Sequence, residues 1–290
     1  MSDRTGTNLN AGSIAPLARF GRFRSWAIPE RKVATSGRPA SSSRGRLSAL
    51  LSPILLLAAW FGLSESGLFS QEVLVPPQVV AATLWEMVQR GDLQQNVLSS
   101  LERLFTGYII GAAIGILLGA LMGMSRTASA FIHPSFQILR QLPTIALIPA
   151  LIMVLGVGET VKIVLVAKAV ALPVGLATTE GIRGIPRVFF DVSGVYRVRH
   201  WQLLRKIVLP ATIPPILTGM RVALSRSWMV LVGAELMIAD NGIGQMLEWG
   251  RQMFRLDIVL GGVVVTGLIG FSLDKLCRLA EWRLVRWQYR

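Results

Sequence analysis

The chain has 290 residues, 52% apolar and only 16% charged, with a net charge of +14. Soluble domains average about 45–50% apolar and 25% charged residues, and here the apolar excess is gathered in runs near the ~20 residues that cross a bilayer as a helix. An ordinary soluble protein is thereby excluded. So is a nucleic-acid partner, because the cations lie between and beyond the apolar runs, where membrane topology places them.

Residues 1–46 carry nine cations from Arg4 to Arg46 against Asp3 and Glu30. Their low hydrophobicity and many turn formers predict a basic, disordered tail. An apolar core of a signal peptide would lie nearer the start, so no cleavage is expected. Residues 47–93 follow as a first spanning helix and an external segment, with Pro76-Pro77 and an amphipathic helix near 78–90. A core of spans occupies 94–285, and 286–290 end the chain as a short tail. The expected class is an all-α membrane protein of about six spans, near 47–64, 98–124, 131–155, 161–180, 212–239 and 257–277. The positive-inside rule puts both termini in the cytoplasm, with Arg126, Arg183 and Arg187 inside; Arg251 and Arg255 are the outer exceptions.

Several features could carry mechanism. Gly107, Gly111, Gly115, Gly119 and Gly123 repeat every four residues in the second span. A step of four advances about 40° around a helix, so they form a slowly winding groove for close helix packing, or for a contact that slides during function. Pro143, Pro149 and Pro173 each remove a backbone hydrogen bond inside a span. They read equally as static bends and as kinks opening a pathway. Lys168, Arg221, Arg226 and Glu235 are ionisable groups within spans. Such groups form buried ion pairs, or they line a path and here would favour an anionic or zwitterionic solute. Cys277 is the one cysteine, which excludes an internal disulfide and a cysteine-built metal site. His133 and His200 lack ligand spacing, so no metal is expected. No G-x-x-x-x-G-K-[ST] occurs, so no phosphate-cradling loop of that kind and no catalytic residue is expected.

Residues 191–210, DVSGVYRVRHWQLLRKIVLP, form a polar island between apolar runs. Arg197, Arg199, Arg205 and Lys206 exclude it from hydrocarbon, where each cation costs roughly 2.5–3.5 kcal/mol. An amphipathic helix on the cytoplasmic face, ending at Pro210, is the expected form. It could rest on anionic lipid headgroups or be gripped by a soluble partner.

Here the chain resembles the permease subunits of bacterial ABC importers. That family's pattern is E-A-A, three residues, G, nine residues, then I-x-L-P. Asp191-Val192-Ser193 occupies the E-A-A place, Arg197 the glycine place, and Ile207-Val208-Leu209-Pro210 the last. The branch for sulfonates, taurine or nitrate is closest, through Ser99-Leu101-Arg103, Leu139-Arg140-Gln141-Leu142-Pro143, Gly156-Val157-Gly158-Glu159, Leu217-Thr218-Gly219-Met220-Arg221 and Ala234-Glu235. The resemblance implies a type I importer permease of the inner membrane that forms the solute pathway as a dimer of identical copies, surrounded by membrane lipid. It implies a separate ATP-binding subunit that holds the ATP, this chain having no cofactor, and an extracytoplasmic solute-binding protein. Coupling to the ATPase would fall on Asp191, Val192, Ser193, Gly194, Val195, Arg197, Val198 and Trp201. An ion-coupled secondary transporter or channel, and a non-transporting scaffold, are the alternatives from other classes.

Overall fold

The computed structural model describes residues 43–66 and 74–284. The expected basic tail lies, as far as residue 42, outside the described residues, as do residues 285–290. Residues 56–290 form one compact unit; of the other, residues 1–55, only the start of α1 is described.

Every regular element among the described residues is helical. In order they are α1 (Ser43–Glu65), α2 (Pro77–Arg90), α3 (Asp92–Met124), α4 (Arg126–Gln141), a 3₁₀ turn (Ile145–Leu147), α5 (Ile148–Leu155), α6 (Glu159–Arg183), α7 (Arg187–Val195), α8 (His200–Leu203), a π turn (Leu204–Val208), α9 (Leu209–Ile238), α10 (Ile243–Gln252) and α11 (Leu256–Leu284). Four helical stretches are long and apolar enough to cross a bilayer: α3, α6, the run Trp201–Ile238, and α11. The first expected span falls on α1, whose apolar stretch Pro53–Glu65 is too short by itself to meet that length.

Two expectations about continuity need correction. The third span is not one helix: α4 and α5 meet at 93°. Pro143 sits at the break, where its missing N–H and its ring forbid a continued turn. Pro149, by contrast, lies in the first turn of α5, where a missing N–H is harmless. The fifth span begins earlier than residue 212, because the helical run passes through Pro210, Pro214 and Pro215. Pro210 therefore does not end a helix. The turn before it widens to π form, with the Leu209 N–H donating to the Leu204 carbonyl, and such widening accommodates a disturbed hydrogen-bond ladder.

α3, α6 and α9 build the centre, and their shared core holds Leu104, Val166, Val170, Val174, Leu224 and Leu231. α3 and α6 run parallel, since Gly107 faces Val166 while Gly123 faces Ile182. The glycine stripe meets a second small-residue stripe, Ala167, Ala171, Gly175 and Thr179, also at steps of four. A Cβ on Gly115 would lie 2.6 Å from the Ala171 carbonyl oxygen, and one on Gly119 2.5 Å from that of Gly175. Thr179 Oγ1 donates across the seam to the Gly119 carbonyl at 3.1 Å. Outward faces stay apolar and exposed, as at Ile109, Leu117, Leu268 and Phe271, which suits lipid rather than water.

Replacing Gly115 by Leu is expected to lower the melting temperature in detergent markedly, through overpacking of about 1–3 kcal/mol. Gly62→Ala, where a Cβ meets nothing within 4 Å, should not lower it. Equal melting of both variants would refute the close seam.

Candidate functional site

A cavity of about 1130 Å³ opens between α6 and α9 beside the α4–α5 break. Arg140, Lys168 and Arg226 line it, with Glu180 as the one lining carboxylate. Pro143 breaks α4 from α5. Lys168 Nζ reaches that break from α6, donating to the Leu142 carbonyl at 3.0 Å and to Thr144 Oγ1 at 3.1 Å. Pro173, inside α6, faces the same space. Arg140 and Arg226 have no ion pair among the described residues. The cavity thus presents three cationic groups to one carboxylate, the arrangement that attracts an anion.

Of the four ionisable residues expected in the pathway, Lys168 and Arg226 border this cavity and the other two do not. Arg221 turns to α11, donating to Glu281 at 3.0 Å and lying 3.8 Å from Asp274. Glu235 is buried at the opposite end of α9, its side chain wholly inaccessible. Its carboxylate accepts from Arg103 Nη1 at 2.8 Å, from Ser100 Oγ and from the Gly244 N–H at 3.0 Å. The reason is local: α10 begins at Ile243 without a side-chain cap of its own. Its unpaired N–H groups are met by Glu235, by Ser100 Oγ at Ile243 and by Asn96 Oδ1 at Gly242. An anion at a helix N-terminus is favoured by the dipole as well. Gly242, at φ 115°, is needed here, since a Cβ would fall 2.6 Å from Glu235 Oε1.

Arg103 is the centre of this cluster, which the sequence did not mark as a site. It also donates to Glu159 at the start of α6, to the Asn241 carbonyl at 2.8 Å and to the Asn241 side chain. Lys162, itself buried, donates to Glu159 at 2.7 Å. One guanidinium therefore ties α3 to α6, α9 and the loop before α10. Just beyond, Arg251 pairs with Glu248 and Arg255 with Asp257, so the two outer cations that ran against the charge rule are neutralised. Contact with Arg251 holds the Glu248 carboxyl down at about 2.

The expected coupling segment does not form one helix over 191–210. α7 starts at Arg187 and ends at Val195, followed by a sharp turn. Val198 N–H donates to the Ser193 carbonyl and Arg197 N–H to that of Gly194, both backward links of a Schellman cap. Arg197 has φ 48°, the left-handed conformation that this cap requires and glycine adopts most easily. The turn is kept although the residue is arginine. Asp191, Val192, Gly194, Val195, Arg197 and Trp201 are exposed, Val198 is half-buried, and Ser193 is buried, donating to the Phe190 carbonyl. With Val188, Phe189 and Tyr196, the valines give α7 an exposed apolar face.

Residues 111–286 match the family described as binding-protein-dependent transport system inner membrane component. The chain belongs to that family. It is thus a multi-pass component of the inner membrane that works with an ATP-binding subunit and a solute-binding protein, a transport subunit rather than an enzyme. Membership favours this reading over the ion-coupled transporter and the scaffold. A permease of Bacillus subtilis, SsuC, named for aliphatic sulfonate transport, is 33% identical over 87% of this chain and 91% of that one. The taurine transport system permease protein TauC of Escherichia coli is 31% identical over 80% and 86%. The bicarbonate transport system permease protein CmpB of Synechococcus elongatus is 31% identical over 85% and 92%. Among solved structures, an inward-facing MetNI methionine ABC transporter aligns at TM-score 0.48 and 20% identity, over 68% of this chain and 97% of that one.

Two outcomes follow for the permease. Arg103→Gln, which strands the buried Glu235 carboxylate, should destabilise it by about 3–5 kcal/mol, and Glu235→Gln should recover part of that loss in the double variant. Strictly additive melting shifts would refute their coupling. Arg197→Gly should stabilise the turn after α7 by about 1 kcal/mol, read as slower amide exchange at Val198. Unchanged exchange would refute strain at that position.

Proposed function

We propose that two identical copies of the permease enclose a path for a small anionic or zwitterionic solute, such as a sulfonate, taurine, nitrate or bicarbonate. The cavity of about 1130 Å³ carries this reading, because Arg140, Lys168 and Arg226 outnumber Glu180 along its wall. The names of the sulfonate, taurine and bicarbonate relatives support the same solute class.

ATP is held by the partner subunit, which grips α7. The exposed Val188, Phe189, Val192, Val195 and Tyr196 favour a protein cleft over water. Closure of the ATPase pair would move α7 and rock the helices between inward- and outward-open arrangements. Both termini lie in the cytoplasm together with α7. The bundle end that carries Arg126, Arg183, Arg187, Arg197 and Arg199 supports this orientation. The opposite end, with α10, receives the solute-binding protein.

Proteoliposomes containing the permease, its ATPase and its binding protein test the solute class. Arg140→Gln with Arg226→Gln should lower ATP-driven uptake of the transported anion at least tenfold. Undiminished uptake, or transport of a cation in preference, would overturn the pathway reading. Docking is tested by co-purification with the ATPase: Val188→Glu with Val195→Glu should abolish the complex while leaving membrane insertion intact. A complex of normal yield would remove α7 from that role.

A further inference from the structure

A second cavity, of about 740 Å³, lies at the end of the bundle where α3 turns into α4, α6 ends and α7 begins. Arg126, Arg183 and Arg187 line it, and Asp191 is the one lining carboxylate. Among the described residues none of the three arginines has an ion pair. Arg183 is fixed in place, its Nη2 donating to the Met122 carbonyl at 3.1 Å and to Ser129 Oγ at 2.5 Å. The rest of the wall is largely apolar, with Ile185, Phe190 and Leu204 facing the same space.

We propose that this cavity holds an anionic phospholipid, its phosphate on Arg126, Arg183 and Arg187 and the start of an acyl chain against Phe190 and Leu204. Three observations converge on this occupant. The volume falls in the range of about 300–1,000 Å³ that suits a small-molecule ligand. The site lies at the ends of the spanning helices α3 and α6, at the level of lipid headgroups, where basic recesses between helices select anionic lipids. A free inorganic anion would satisfy the arginines but leave the apolar wall uncovered. The chain's own N-terminal tail is no candidate, since its cations would meet a cationic wall. A lipid seated here touches both the α3–α4 turn and Phe190 of α7, and so braces the helix that the proposed ATPase grips. Placement in the cytoplasmic leaflet rests on the orientation proposed above, whereas the binding itself does not.

Native mass spectrometry of the detergent-solubilised full chain, without ATPase, tests it with dioctanoyl phosphatidylglycerol as the probe. Wild type is expected to bind this lipid at least tenfold more tightly than dioctanoyl phosphatidylcholine. Arg126→Gln with Arg187→Gln should remove that preference, while Lys275→Gln, elsewhere on the basic surface, should keep it. Equal binding of both lipids would overturn the proposal, and so would an undiminished preference in the arginine variant. Inorganic phosphate displacing the lipid at equimolar concentration would mark the site as one for a free anion, against the proposal. Because the readout omits the ATPase, a failed docking helix leaves the lipid result standing.

Discussion

α3 and α6 run parallel and bring backbone against backbone along the stripe from Gly107 to Gly119, with Gly123 against the Ile182 side chain. Lipid offers no hydrophobic drive for two apolar helices to associate, so their attraction comes from dispersion at short range and from hydrogen bonds. Both need small residues on the two sides, and both sides have them. Parallel neighbours also require the chain to return across the membrane between them. The broken pair α4–α5 makes that return, and the cationic cavity lies beside its break, with Arg140 and Thr144 on the wall. The close seam and the cavity are thus parts of one arrangement.

Polar groups inside the bundle follow a second rule, that burial away from water calls for a partner; among the described residues the buried Gln137 Oε1 is the exception. At one end Arg103 gathers Glu159, Glu235 and Asn241, and the Glu235 carboxylate in turn caps α10. That end is held by charge. At the break, Lys168 satisfies the Leu142 carbonyl and Thr144, so one cation supports the kink while bordering the cavity. Near α7, Arg126, Arg183 and Arg187 form no ion pair among the described residues, and the apolar face of α7 is exposed. An end so exposed is suited to partners, whereas the Arg103 end is largely closed on itself.

The family could be read from the chain because its pieces keep their order and spacing, and four of the six expected spans because hydrocarbon thickness fixes helix length; the first is too short and the third is broken. The glycine stripe was legible for the same reason: a period of four survives in one dimension. Its mate, Ala167 to Thr179, is less conspicuous, since alanine in an apolar helix calls for no explanation. Counting placed Arg197 at the family's glycine position, but its left-handed backbone belongs to the folded cap.

Length, apolar runs, charge placement and motif spacing are local properties, and they determined that this is a helical membrane transport subunit. Which charge meets which is a matter of three dimensions. Arg103 reaches Glu159 and Glu235 across 56 and 132 positions, and nothing in the spacing announces either partner. Glu235 and Lys168 look alike as isolated charges within apolar runs. Helix packing alone turns Glu235 into the core, where it caps α10, and turns Lys168 toward the cavity, because a residue's face on a helix acquires meaning only from the neighbour it meets.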